Sequence, residues 1–281
     1  SAKKRAPFGL CHIARDGIEE YDRVMAIQER VHSLSGSGEL SLAFQPQFNA
    51  AAKIVGFEAL IRWQSAEFGW VSPADFIPIA EENGAIFSIG EWVVASACDA
   101  AIELMSHGHH CTISINVSAR QIVEPEFVLF LNRTLEEKQV PAQWLVLELT
   151  ETALVSDMSQ VKNTMQELAK LGFQFSVDDF GTGYSSLAYL KELPISELKV
   201  DKYFVDDITD DSLKSEYVIV DAIINMAQAL GVKCVAEGVE NKVQCNYLER
   251  VGCSIFQGYY YSRPLEIKDW RRLLLTGEFN D

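Results

Sequence analysis

From Leu40 onward the chain alternates between short runs rich in β-branched and aromatic residues and longer stretches whose apolar positions recur every three to four residues. The short runs, read as strands, fall at 41–48, 54–62, 112–117, 145–149, 173–178, 197–200, 233–236 and 254–257. The helical patterns fall at 74–82, 89–106, 126–138, 158–171, 212–230 and 242–251, with Gly172, Gly231 and Gly252 placed to end helices. Repeated strand and helix units argue for a parallel sheet, and eight of them argue for a closed barrel. One spacing departs from that rule. Only Asn49, Ala50, Ala51, Ala52 and Lys53 separate the first two runs, too few for a helical crossover, so a hairpin is expected there. The fold class predicted is therefore α/β, a modified TIM (β/α)8 barrel with its first strand antiparallel to the second.

Residues 1–38 read differently. Asp16 can cap a helix that carries Ile18, Tyr21, Met25, Val31 and Leu34 along one broad side, and Ser35-Gly36-Ser37-Gly38 has the chemistry of a linker. A single amphipathic helix cannot bury its own face. This segment is expected to be a helix and linker belonging to an upstream domain, with a plain terminal helix as the alternative, and residues 39–281 are expected to form the main domain.

Composition narrows the partners more than the fold. The 281 residues are 48% hydrophobic, enough for a substantial core. The net charge is −16 and the pI near 4.7, so the global field repels polyanions. Duplex nucleic acid and direct contact with an anionic membrane are not expected. No apolar run approaches the roughly 20 residues needed to span a bilayer, and Ser1 to Arg5 lacks a signal-peptide core. A cytoplasmic location is expected, compatible with a membrane-anchored parent. Cys11, Cys98, Cys111, Cys234, Cys245 and Cys253 form no Cys-x-x-Cys pair and read as reduced thiols.

In a barrel of this kind chemistry collects at the carboxyl ends of the strands, and polar residues interrupt the apolar runs there. Glu58, Asn116, Glu148, Asp178, Asp179, Lys199, Glu237 and Gln257 each lie in or close a strand candidate. Convergence of several at one mouth would make a cage of hard oxygen ligands suited to Mg²⁺ or Mn²⁺. Two neighbouring aspartates repel by roughly 4 kcal/mol at about 4 Å and an effective dielectric near 20, which calls for positive charge nearby. One aspartate could bridge two ions while its neighbour binds only the second, and such a pair of ions polarises a phosphate and activates water. An exposed turn with solvated carboxylates is the alternative. Lys199 can orient that water or serve only as a counter-charge. His107, His109 and His110 read as a solvated loop, and Tyr259, Tyr260 and Tyr261 as a strand end that cannot turn all three rings to the mouth.

These residues occur in an ordered series: Gln45-Pro46, Glu58-Ala59-Leu60-Ile61-Arg62-Trp63, Phe76-Ile77-Pro78, Asn116-Val117-Ser118, Glu148-Leu149-Thr150-Glu151, the stretch from Asp178-Asp179-Phe180-Gly181 to Ser186, Leu198-Lys199-Val200-Asp201, Ala236-Glu237-Gly238-Val239-Glu240 and Gln257-Gly258-Tyr259. The series, over about residues 40–268, resembles the EAL-domain cyclic-di-GMP phosphodiesterases. The resemblance implies hydrolysis of cyclic di-GMP to linear 5′-pGpG with two Mg²⁺ or Mn²⁺ ions, and a homodimer built around Tyr184 to Leu193 and the next helix. It implies that Glu58, Asn116, Glu148 and Asp178 hold one ion, and that Asp178, Asp179 and Glu237 hold the other. Lys199 would meet the attacking water, with Glu237 as a ligand, a general base or both. Gln45, Glu58, Leu60, Arg62 and Gln257 match substrate-contacting positions, and Glu151 matches the anchor of the loop after Asp179. Glu151 can instead cap the following helix, Arg62 can pair with a carboxylate, and Gln257 can make a strand-end hydrogen bond. Phe44 and Lys202 depart from the family's usual tyrosine and arginine, and neither departure removes a ligand. A cyclic-di-GMP receptor without turnover is the alternative function.

Overall fold

The computed structural model describes residues 22–181, 187–209 and 217–276. Asp16, Ile18 and Tyr21, residues 182–186 and the start of the helix expected at 212–230 lie outside them. So does part of the segment expected to form a dimer interface. The chain divides into two compact units, residues up to 41 with 62–89, and residues 42–61 with 90–281.

The first unit contains helix α1 (22–31), a 3₁₀ turn at Leu34–Gly36 and helix α2 (Pro73–Asn83). It also holds the end of strand β2 and strand β3 (Gly69–Val71), which pair antiparallel with Trp63 opposite Val71. Ile27 and Val31 of α1 and Leu34 after it are buried. Trp63 is buried edge-on to Phe68 and Phe76, and its indole N–H donates to Glu39 at 3.0 Å, where Arg30 also donates at 3.1 Å. Ser72 caps α2 by accepting from the Ala74 N–H, and Gly84 ends it in the left-handed region.

The second unit is the barrel. Its strands are β1 (Leu40–Asn49), β2 (Ile54–Ser65), β4 (Thr112–Asn116), β5 (Leu145–Thr150), β6 (Gln174–Phe180), β7 (Glu197–Val200), β8 (Lys233–Ala236) and β9 (Ile255–Phe256). The order is β1-β9-β8-β7-β6-β5-β4-β2, and pairing of β1 with β2 closes it. Pairs from β2 through β9 are parallel, whereas β1 is antiparallel to β9. The reversal starts at a hairpin in which Asn49 Oδ1 accepts from the N–H groups of Ala51 and Lys53, both at 3.0 Å.

The helices of this unit are α3 (Ile86–Ser106), α4 (Ala119–Ile122), α5 (Pro125–Lys138), α6 (Glu151–Ser156), α7 (Met158–Leu171), α8 (Leu187–Leu190), α9 (Lys202–Asp206), α10 (Val218–Leu230), α11 (Lys242–Arg250) and α12 (Ile267–Thr276). The first turn of α3 belongs to the other unit. Gly172 and Gly231 end α7 and α10 in the left-handed region, as their positions predict. Short α4, α6 and α9, strand β3 and α12 were not read from the pattern. The last strand is shorter than the 254–257 expected, so Gln257 lies just past it and Tyr259 to Tyr261 sit in a turn rather than on a strand end.

Strand alternation here inverts the usual assignment of polar outside and apolar inside. Phe57 and Ala59 of β2, Leu145, Leu147 and Leu149 of β5, and Leu198 and Val200 of β7 belong to the buried apolar core, together with residues of α5, α7 and α10. The residues between them, Glu58, Glu148 and Lys199, project to the other side and meet one another.

Candidate active site

Register brings the polar positions to neighbouring rungs of the sheet. Asn116 pairs with Glu148, Glu148 with Ser176, and Thr150 with Asp178. Lys199, fully buried, is the hub. Its Nζ lies 2.6 Å from Glu237, 2.7 Å from Glu148, 3.2 Å from Asp178 and 3.4 Å from Glu58. Burial disfavours its charge, but these four carboxylates overcome that and hold its pKa well above the usual lysine value.

Consecutive strand residues normally face opposite ways, so two adjacent aspartates cannot both enter a site from a regular strand. Strand β6 resolves this with a register shift between Val177 and Phe180. Asp179 takes φ +52°, and its N–H donates to Asp178 Oδ1 at 2.9 Å. Carboxylate oxygens of Asp178, Asp179 and Glu237 consequently lie within 4.8 Å of one another. Glu151, buried at the start of α6, accepts the Gly181 N–H at 3.1 Å and so holds the backbone just after the Asp178-Asp179 pair.

Glu58 has both oxygens occupied: Oε1 accepts from Asn116 at 3.0 Å and Oε2 from Gln257 at 2.6 Å. Gln257 also donates to Gln45 Oε1 at 3.3 Å. Leu60 follows Glu58 on β2 and is half-buried. Arg62 belongs to the first unit, where its guanidinium lies 5.7 Å from the centre of the Trp70 ring.

One ammonium cannot satisfy this many carboxylates. Burial opposes the charge on Glu58, yet Lys199, Gln257 and Asn116 hold its pKa below the ordinary value. Burial, with the charges of Glu58 and Asp178, raises Glu148 well above it despite Lys199. Burial pushes Glu237 up to about 8, against Lys199 and with Asp178 and Glu58. Burial, Asp178 and a hydrogen bond with Asp201 push Asp179 up to about 7.

The donor set fits divalent cations. Five carboxylates against one lysine leave four formal negative charges in excess, and Glu148 Oε1 is buried without a hydrogen-bond partner among the described residues. All the donors are hard oxygens. Gln47 and Asp201 also reach this group, through Gln257 and Asp179, and the sequence reading assigned neither of them. For Gln47 the available signal was a polar residue on β1 between Pro46 and Phe48, whereas Asp201 follows β7 and caps α9 by accepting the Tyr203 N–H at 2.7 Å.

An α/β barrel that gathers carboxylates around a buried lysine at its strand ends has the build of a divalent-metal site. The sequence profile of the EAL domain matches residues 27–264, and the chain belongs to the EAL-domain family. It is 40% identical over 235 residues to the signaling protein YkoW of Bacillus subtilis, covering 83% of this chain and 29% of that protein. It is 38% identical over 229 residues to the bifunctional diguanylate cyclase/cyclic di-GMP phosphodiesterase MucR of Pseudomonas aeruginosa, covering 81% of this chain and 33% of that protein. The chain thus spans about a third of the length of such relatives. Among solved structures, the PaMucR phosphodiesterase in its c-di-GMP complex superposes with a TM-score of 0.82 at 35% identity, covering 87% of this chain and 99% of that one. The EAL enzyme Bd1971 in its cAMP- and cyclic-di-GMP-bound form gives 0.83 at 30% identity, covering 94% and 73%. No helix among the described residues is long and apolar enough to cross a membrane.

Proposed function

We propose that this domain hydrolyses cyclic di-GMP to 5′-pGpG in a reaction that depends on two Mg²⁺ or Mn²⁺ ions. The observation that carries the reading is the buried Lys199 within 3.4 Å of four carboxylates, beside the Asp178, Asp179 and Glu237 cluster. Relatives named as cyclic di-GMP phosphodiesterases, MucR and NbdA among them, support the substrate.

Glu58, Asn116, Glu148 and Asp178 would hold one ion, and Asp178, Asp179 and Glu237 the other. Bound there, the ions supply Lewis-acid activation of water and neutralise phosphate charge. Hydrolysis adds water across one P–O3′ bond: hydroxyl goes to phosphorus, and the departing O3′ takes a proton. Lys199, fixed by its carboxylates, directs an N–H toward the attacking water and the charge that develops on phosphate. Gln45, Leu60, Arg62 and Gln257 orient the dinucleotide, and Glu151 keeps the turn after Asp179 in place. The domain works as a cytoplasmic homodimer.

Chromatography of the products formed from cyclic di-GMP with Mn²⁺, and with a chelator in parallel, tests the reading. Appearance of pGpG that the chelator abolishes is expected. Intact cyclic di-GMP bound without turnover would replace the enzyme by a receptor.

A further inference from the structure

We propose that Gln47 is a positioning residue for the Glu58 side of the site, acting through the carboxamide of Gln257, an inference that rests on the two-ion reading above. Gln45 and Gln47 are two apart on β1, so both side chains leave the same face of the strand. The flanking Phe44 and Phe48 leave the other face, where they stack on Trp270 and Tyr261. Gln47 is buried, 3% exposed, and its Nε2 donates to Gln257 Oε1 at 3.0 Å.

A carboxamide has one accepting end and one donating end. With its oxygen held by Gln47, the Gln257 amide must turn its nitrogen the other way. There it donates to Glu58 Oε2 at 2.6 Å and to Gln45 Oε1 at 3.3 Å. Turned over, Gln257 would set its oxygen against those two oxygens, three acceptors with no proton among them. The Gln47 donor and the accept-only Glu58 carboxylate therefore agree on one orientation of Gln257, and Gln47 anchors the amide that grips Glu58. Asn116 holds the other oxygen of the same carboxylate at 3.0 Å, so the two amides together define how Glu58 presents its lone pairs.

The facing strand is built to admit this relay. A Cβ on Gly56 would lie 2.7 Å from Gln47 Oε1 and 2.9 Å from Thr112 Oγ1, and no side chain at 56 leaves Gln47 where it is. The direction of the hydrogen bonds and the space at Gly56 are separate observations that agree on one role.

Mn²⁺ binding to the full chain, read from the free-ion electron paramagnetic resonance signal, tests this without turnover. Gln47→Met keeps the size and removes the donor, and it should weaken Mn²⁺ binding about tenfold. Gln47→Glu replaces the donor by an acceptor and should weaken binding further; if that variant does not fold by circular dichroism, Gln47→Met decides. In a Gln257→Met background the Gln47→Met change should add nothing, because its route to Glu58 is already cut. Unchanged Mn²⁺ affinity in Gln47→Met, or effects of the two substitutions that multiply, would overturn the role. A wild-type chain that makes no pGpG yet binds Mn²⁺ in a Gln47-dependent way would refute hydrolysis and leave Gln47's role standing. The converse pattern would do the opposite, and a wild-type chain that binds no Mn²⁺ refutes both.

Discussion

Removing divalent ions should make the native state less stable as pH rises, the reverse of an ordinary salt-bridged protein. In the unfolded chain Glu237 and Asp179 lose their protons near pH 4. In the metal-free native state burial and neighbouring charge hold Glu237 to about 8 and Asp179 to about 7. Between those limits the native state binds more protons than the unfolded one, so stability contributed by these groups is full below about pH 4 and falls until about pH 8. Each pH unit of that interval is about 1.4 kcal/mol per group. From pH 6 upward about two units remain for Glu237 and about one for Asp179, which gives a loss of about 4 kcal/mol by pH 9 if the two titrate as a coupled pair without further cancellation. For a domain of this size that is a fall in melting temperature on the order of 10 °C. Divalent ions bind the ionised carboxylates and should restore it. Calorimetric melting in EDTA and in saturating MgCl₂, at pH 6 and pH 9, measures both effects. A Mg²⁺-induced rise no larger at pH 9 than at pH 6 would refute the assignment of these carboxylates to the ion site.

Two substitutions probe the same site from other directions. Lys199→Met removes the one cation among four carboxylates, so single-turnover hydrolysis should drop by at least about 100-fold. The metal-free variant should also unfold about 3 kcal/mol more easily at neutral pH. Gly258→Ala would put a Cβ 2.2 Å from Val239 N and Val239 O, which are backbone atoms of the turn that carries Glu237. Denaturant unfolding should show a loss of about 3 kcal/mol and weaker Mn²⁺ binding, because that turn must move.

The sequence announced the barrel because each strand offers an uninterrupted apolar face, and a run of β-branched and aromatic residues can be read locally. It announced the hairpin because five residues cannot make a crossover. The carboxylates and Lys199 were visible because each breaks an apolar run. Elements without enough residues to show a period were not visible: β3 has three residues, and α4, α6 and α9 four to six. Gln47 was overlooked for another reason. Its importance lies in a partner 210 residues away, and nothing near it in the chain marks that pairing.

The adjacent pair Asp178-Asp179 shows most clearly what a linear pattern leaves out. Read as a strand, it sends one carboxylate into the mouth and the other into the apolar wall, where an ionised group would be far too costly. Read as a solvated turn, it gives no reason for Lys199. The structure takes neither path: the strand slips by a register shift, and Asp179 enters the left-handed region where residues other than glycine are uncommon. That conformation costs about 1 kcal/mol or more. Its own N–H bond to Asp178 Oδ1 and the grip of Glu151 on Gly181 hold the turn on both sides of the strained residue. Backbone strain is thus stored at the one point where two neighbouring side chains must share a face. Residue types foretold which chemistry would gather at the mouth; the backbone irregularity that gathers it arises from contacts with Glu151, 28 residues earlier in the chain than Asp179, and with Asp201, 22 residues later.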